Sequence, residues 1–145
     1  MLTGEYQHTV DSKGRVFIPA KFRTDLGQNV TIAVVFGDYI MIYSDEEWIK
    51  YIEKLDALRL EGRFPEEWFR EVMRSAQSLE VDSQGRIVIA EKLRKAAGLD
   101  KDVTFIGMRN HAEIWSDEKL GISDSSKSDI SELRKLNKEL HLGLG

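Results

Sequence analysis

Residues 11 to 27 read DSKGRVFIPAKFRTDLG, and residues 82 to 98 read DSQGRIVIAEKLRKAAG. The second stretch follows the first by 71 residues. Asp11, Ser12, Gly14, Arg15, Ile18, Lys21, Arg23 and Gly27 return, with no gap, as Asp82, Ser83, Gly85, Arg86, Ile89, Lys92, Arg94 and Gly98. Further along, Ile42-Tyr43-Ser44-Asp45-Glu46 is echoed by Ile114-Trp115-Ser116-Asp117-Glu118. The chain is a tandem duplication of a module of about 45 residues, and such a repeat governs any fold assignment.

Asp-x-x-Gly between apolar segments is turn chemistry, so each copy is expected to begin as a hairpin, with Tyr6–Val10 before the first turn and Val16–Ile18 after it. The carboxylates of Asp11 and Asp82 suit backbone amides two residues on, and Gly14 and Gly85 suit a positive φ. Val16-Phe17-Ile18 and Ile87-Val88-Ile89 are unbroken apolar runs, which predict strands buried on both faces. Pro19 presets φ for a short helix, and Gly27 and Gly98 stand where a helix ends in a left-handed residue. A second hairpin follows in each copy. Val30–Phe36 pairs with Tyr39–Tyr43 around Gly37-Asp38, and Val103–Met108 pairs with Ala112–Trp115 around Arg109-Asn110-His111. A unit this small buries too little surface alone, so both copies are expected to close one core.

Between the copies, Ser44 with Glu47 forms a capping-box pattern, and Trp48, Ile52, Leu55 and Leu58 mark a helix of about four turns. Gly62 interrupts it. Pro65 opens a second helix, with Trp68, Phe69, Val72, Met73 and Ala76 as its buried side. Trp48 and Trp68 fit either packing on their own subunit or an interface between subunits. In the tail, Gly121 and the polar run 123 to 129 predict a loop, followed by a short helix over 130 to 140 that frays at Gly143-Leu144-Gly145.

Cations gather around each turn. Lys13, Arg15, Lys21 and Arg23 surround the first, and Arg86, Lys92, Arg94 and Lys95 the second, where Gln84 replaces Lys13. Arg15 and Arg86, directly after the turn glycines, either pin the turn through Asp11 and Asp82 or reach outward to a ligand.

The opening GEYQHTVDSKGRVFIPAKFR, the second VDSQGRIVIAEKLRKAAGL and the helices between them resemble the MraZ family of bacterial regulators, over residues 1 to about 118. Each half of that family resembles the AbrB-type swapped-hairpin DNA-binding domain. The resemblance implies an α+β fold in which two tandem swapped-hairpin β-α-β repeats close one pseudo-twofold β-barrel, with appended helices. The expected divisions are 1–50 and 77–120 for the repeats, 44–76 for the helical insertion and 121–145 for the tail. It also implies a cytoplasmic, nucleoid-associated transcription regulator that forms a ring-like homo-oligomer larger than a dimer. Its partner would be double-stranded DNA, bound at short G-rich direct repeats upstream of the cell-division and cell-wall gene cluster. Lys13, Arg15, Gln84 and Arg86 would make the main contacts, with Lys21, Arg23, Lys92 and Arg94 assisting. The rival is a protein-interaction scaffold or antitoxin-like module built on the same barrel.

Composition narrows the chemistry. Among 145 residues there is no cysteine, which removes thiolate catalysis and disulfides. His8, His111 and His141 have neither a nucleophile nor a ligand set at a telling spacing, so neither an enzyme nor a metal or cofactor site is expected. The N-terminus lacks a signal-peptide pattern and no apolar run is long enough to span a bilayer, which points to a soluble intracellular protein. A net charge of −4 argues against nucleic acid, yet from Asp45 to Glu67 eight acids face four bases, so the acidity sits in the insertion.

Overall fold

The computed structural model describes residues 1–34, 37–125 and 130–144, with 142–144 described by backbone alone. The first copy runs β1 (Glu5–Thr9), β2 (Arg15–Phe17), α1 (Ala20–Leu26), β3 (Asn29–Val34) and β4 (Ile40–Ser44). Two helices follow, α2 (Asp45–Leu60) and α3 (Glu66–Ser75). The second copy repeats the first as β5 (Gln77–Glu80), β6 (Arg86–Val88), α4 (Glu91–Ala97), β7 (Asp102–Gly107) and β8 (Ala112–Ser116). The tail forms α5 (Asp117–Ser125) and α6 (Ile130–Leu144).

The six longer strands form one antiparallel sheet in the order β1-β7-β8-β4-β3-β5. Exchanging each strand for its counterpart in the other copy reverses this order into itself. The first strand of each copy has left its own module: β1 pairs with β7 from Glu5↔Ile106 to Thr9↔Asp102, and β5 pairs with β3 from Asn29↔Glu80 to Ile32↔Gln77. The short strands β2 and β6 form a separate ribbon, with Arg15 opposite Val88, Val16 opposite Ile87 and Phe17 opposite Arg86.

The expected closed barrel is corrected by this topology. β1 and β5 each have one ladder partner, so the large sheet has two free edges. The expected first hairpin of each copy is corrected too: the Asp-x-x-Gly turns carry the chain out of the sheet, so β1 and β5 do not form ladders with β2 and β6, which are three residues each and pair only with one another. Ribbon and sheet share a core of Val16, Ile18, Phe22, Ile32, Ile42, Ile87, Ile89, Phe105 and Ile114, each at most 1% exposed. Burial of each such side chain stabilises the fold by about 1.5–3 kcal/mol.

The opposite sheet face carries Ala33, Met41 and Tyr43. Tyr51 of α2 stacks there on Tyr43 and Trp48 meets it edge-on, with ring centroids 5.3 Å and 5.7 Å away, and His111 stacks on Tyr43 at 4.5 Å. Ser44 caps α2 by accepting the Glu47 amide at 3.2 Å, and Ser116 does the same for α5 with Lys119 at 3.0 Å.

Several local expectations are corrected. The runs 16–18 and 87–89 are not buried on both sides, because Phe17 and Val88 point outward. Trp68 and Met73 of α3 are 50% and 47% exposed rather than core, and Val72 carries the packing. Gly27 has a positive φ of 74° but a ψ of −166°, outside the left-handed helical well that Gly98 does occupy. Helix α5 continues through Gly121 to Ser125, and α6 extends beyond the expected short helix through Gly143 to Leu144. Val35 and Phe36 of the expected third strand, residues 126–129 of the expected polar loop and Gly145 of the expected frayed end lie outside the described residues.

Candidate nucleic-acid interface

The two turns are the same construction made twice. Asp11 Oδ1 accepts the amides of Lys13 and Arg15, both at 2.9 Å, and its Oδ2 accepts Arg15 Nε at 2.6 Å. Asp82 accepts the amides of Gln84 and Arg86 at 2.9 Å and Arg86 Nε at 2.8 Å. In each, the turn glycine donates its amide to the aspartate carbonyl at 3.0 Å, with φ of 83° at Gly14 and 86° at Gly85. The amide of Arg15 is the main cause that holds the Asp11 carboxyl below the ordinary carboxylate range, and that of Arg86 does the same for Asp82.

The turns are locked to each other. Gly85 accepts the Ile18 amide at 2.9 Å, and Gly14 accepts the Ile89 amide at 2.8 Å. Arg23 and Arg94 reinforce the crossing. Arg23 donates Nε to the Ile18 carbonyl at 3.0 Å and lays its guanidinium against Gly85, while Arg94 donates to the Ile89 carbonyl at 2.9 Å and lies against Gly14. Each helix arginine therefore braces the turn of the opposite copy.

Arg15 and Arg86 differ from that pair. Each spends only Nε on its aspartate, and the two NH2 ends of each guanidinium have no hydrogen-bond partner among the described residues. Strand alternation puts Arg15 and Phe17 on the outer side of β2 and Arg86 and Val88 on the outer side of β6, with Val16 and Ile87 inside. Pinning the turn and facing outward are thus compatible. The aspartate fixes one edge of the guanidinium and leaves its two NH2 groups unbonded among the described residues, with the side chain 36% exposed at Arg15 and 23% at Arg86.

The other expected residues distribute as follows. Lys13 and Gln84 are exposed at equivalent places in the turns, and Lys21 is exposed on α1. Lys92 lies along a groove of about 490 Å³ between α3 and α4, with Glu71 and Arg74. Trp48 is half-buried on Tyr43, whereas Trp68 is exposed beside Phe64, with ring centroids 5.7 Å apart. The acids of α2 accompany Trp48 and Tyr51 to the sheet face opposite the ribbon, which separates them from the arginines. Phe17 and Val88 were missed as surface residues. Counting alternate positions from an outward Arg15 would have placed Phe17 outside too.

Among the described residues, no group of three or more acidic or imidazole side chains is placed to hold a metal ion, and no helix is long and apolar enough to cross a membrane.

Fold and site together define a class: an internally duplicated protein whose copies trade their first strands and expose a two-stranded ribbon bearing paired arginines. The family model described as "MraZ protein, putative antitoxin-like" matches residues 1–65 and 72–122. The chain belongs to the MraZ family. It is similar to the transcriptional regulator MraZ of Caldanaerobacter subterraneus subsp. tengcongensis, with 45% identity over 81% of this chain and 82% of that one. It is also similar to the protein of the same name from Thermoanaerobacter sp., at 43% over 90% and 91%, and to that of Caldicellulosiruptor bescii, at 38% over 99% and 100%.

Proposed function

We propose that the protein is a sequence-specific DNA-binding transcription regulator that places the outer face of the β2–β6 ribbon in the major groove. The observation that carries this reading is the pair of Asp-oriented guanidinium forks of Arg15 and Arg86 on one exposed face. B-DNA's major groove admits a two-stranded ribbon, and arginine pairs in a bidentate manner with guanine O6 and N7, which suits short G-rich repeats. Lys13 supplies phosphate attraction at the first turn and Gln84 a neutral contact at the second, so the first copy contributes more electrostatic affinity. Lys21 and Lys92 add weaker, longer-range attraction. Arg23 and Arg94 act through the turns they brace. The relatives named transcriptional regulator MraZ support the same reading.

One ribbon covers few base pairs, so affinity comes from a homo-oligomer larger than a dimer, ring-like, engaging spaced direct repeats at high effective concentration. The exposed Trp68 and Met73 of α3 supply apolar area for that assembly. The protein acts in the cytoplasm, at the nucleoid, on the cell-division and cell-wall gene cluster that includes its own gene.

The decisive experiment is a mobility-shift titration on the DNA upstream of the protein's own gene at several salt concentrations. A phosphate-contacting complex weakens steeply as salt rises. A flat response, or no shift, favours the scaffold or antitoxin-like alternative.

A further inference from the structure

Two large apolar side chains interrupt the charged face of the ribbon. Phe17 is 42% exposed and Val88 52%, although each stands between residues that are almost fully buried. The antiparallel register sets Val88 directly across from Arg15 and Phe17 directly across from Arg86. Each outward arginine therefore has an apolar neighbour on the facing strand, with Cβ separations of about 4.5–5.5 Å for such pairs. Single exposed apolar residues need no explanation. Two of them, one per copy, at equivalent places beside the two free guanidinium forks form a pattern.

The chemistry that complements this pattern is specific. In the major groove the thymine C5-methyl is the apolar contact, and guanine presents the acceptor pair that arginine takes. A cross-strand offset of about 5 Å is on the order of one to two base-pair steps of 3.4 Å. We infer that Phe17 and Val88 read thymine methyl groups at base pairs neighbouring those contacted by Arg86 and Arg15, so that each cross-strand pair, built from both copies, recognises an apolar-plus-guanine combination rather than guanine alone. The two pairs are not identical readers. The Phe17 ring lies 5.8 Å from the Arg86 guanidinium carbon and supports that fork, while Arg15 has only the smaller Val88 across from it.

This inference rests on the DNA-contact reading, and its test separates the two. Full-length wild-type protein is titrated onto the fragment upstream of its own gene, prepared once with thymine and once with deoxyuridine throughout, which deletes only the methyl groups. Affinity is expected to fall about three- to fivefold for each methyl contacted, the worth of one buried apolar carbon. The folded Phe17→Ala/Val88→Ala variant is expected to bind both fragments alike, with its circular dichroism unchanged because both side chains face outward. Equal wild-type binding to both fragments, with loss of binding in Arg15→Ala/Arg86→Ala, overturns the methyl readout and keeps the DNA contact. Undiminished deoxyuridine sensitivity in the Phe17→Ala/Val88→Ala variant also overturns it. If wild-type protein binds neither fragment, both readings fail.

Discussion

The carbonyl of Gly14, in the first copy, accepts the amide of Ile89, in the second, at 2.8 Å. A Cβ at Gly14 would stand 2.6 Å from the carbonyl oxygen of Ile89, while Gly14 itself holds φ at 83°. Gly14→Ala thus meets both left-handed strain and a backbone clash. It is expected to destabilise the fold by about 3 kcal/mol or more, against about 1 kcal/mol for Gly62→Ala, whose φ is 74° but whose Cβ would meet nothing within 4 Å. Urea denaturation of the two variants checks the difference, and equal losses would remove the crossing from the account.

The ribbon's inner and outer faces differ in the same way. Ile18 and Ile89 are 1% and 0% exposed, so truncating either to alanine is expected to cost about 2–5 kcal/mol. Loss of less than about 0.5 kcal/mol in either variant would show that the shared core does not depend on that position.

The four repeat arginines divide into two kinds. Arg15→Ala and Arg86→Ala are expected to lower operator affinity by roughly 1–3 kcal/mol per contacting site while the melting temperature changes little. Lys13→Ala acts mainly on the salt slope, by about one per site. Arg23→Ala and Arg94→Ala instead remove a charged donor from a main-chain carbonyl and lower the melting temperature. A double Arg15→Ala/Arg86→Ala variant that still selects the same repeats with unchanged affinity would return these arginines to the turns.

Acid acts on the turns and on the histidines. Asp11 and Asp82 have folded pKa values below the unfolded one, so their stabilisation is complete above about pH 4 and is lost as pH falls through the folded values. His8 and His111 are lowered by burial, so protonation favours the unfolded chain and stability declines as pH drops below about 6.5. Thermal melts from pH 8 to 3 are expected to show a first loss that disappears in His8→Gln/His111→Gln and a second that remains.

Trp68→Ala is expected to lower the assembly state in light scattering with little change in melting temperature, since the side chain is half exposed on α3. A lower melting temperature with an intact oligomer would place Trp68 in intrachain packing.

Much of this architecture is legible in the chain because the duplication offers each signal twice. Asp11-x-x-Gly14 and Asp82-x-x-Gly85 form the turns their chemistry implies, and Ser44 caps its helix as the capping pattern indicates. What local pattern cannot carry is which strand meets which. Nothing in Glu5–Thr9 says that its partner is Asp102–Gly107, because hydrogen-bonding edges have no address in side-chain order. The dual burial expected for Phe17 and Val88 failed for a related reason. An apolar run reads alike whether both faces are covered or one is, and only the ribbon's pairing decides. Arg23 and Arg94 look like their neighbours in a list of cations, yet distance across the pseudosymmetric crossing assigns them to the opposite turns.

The exchange of first strands also sets the order in which the chain can mature during synthesis. β1 leaves the ribosome first, but its ladder partner β7 is made only after most of the chain, a wait on the order of 5–20 s at ordinary elongation rates. Until then the β3–β4 hairpin stands with both outer edges unpaired and with Ile32 and Ile42 uncovered by the second copy's Ile87 and Ile89. A ribosome that stalls before residue 102 therefore releases a polypeptide with no native state of its own, fit for proteolysis or for pairing with another unfinished chain.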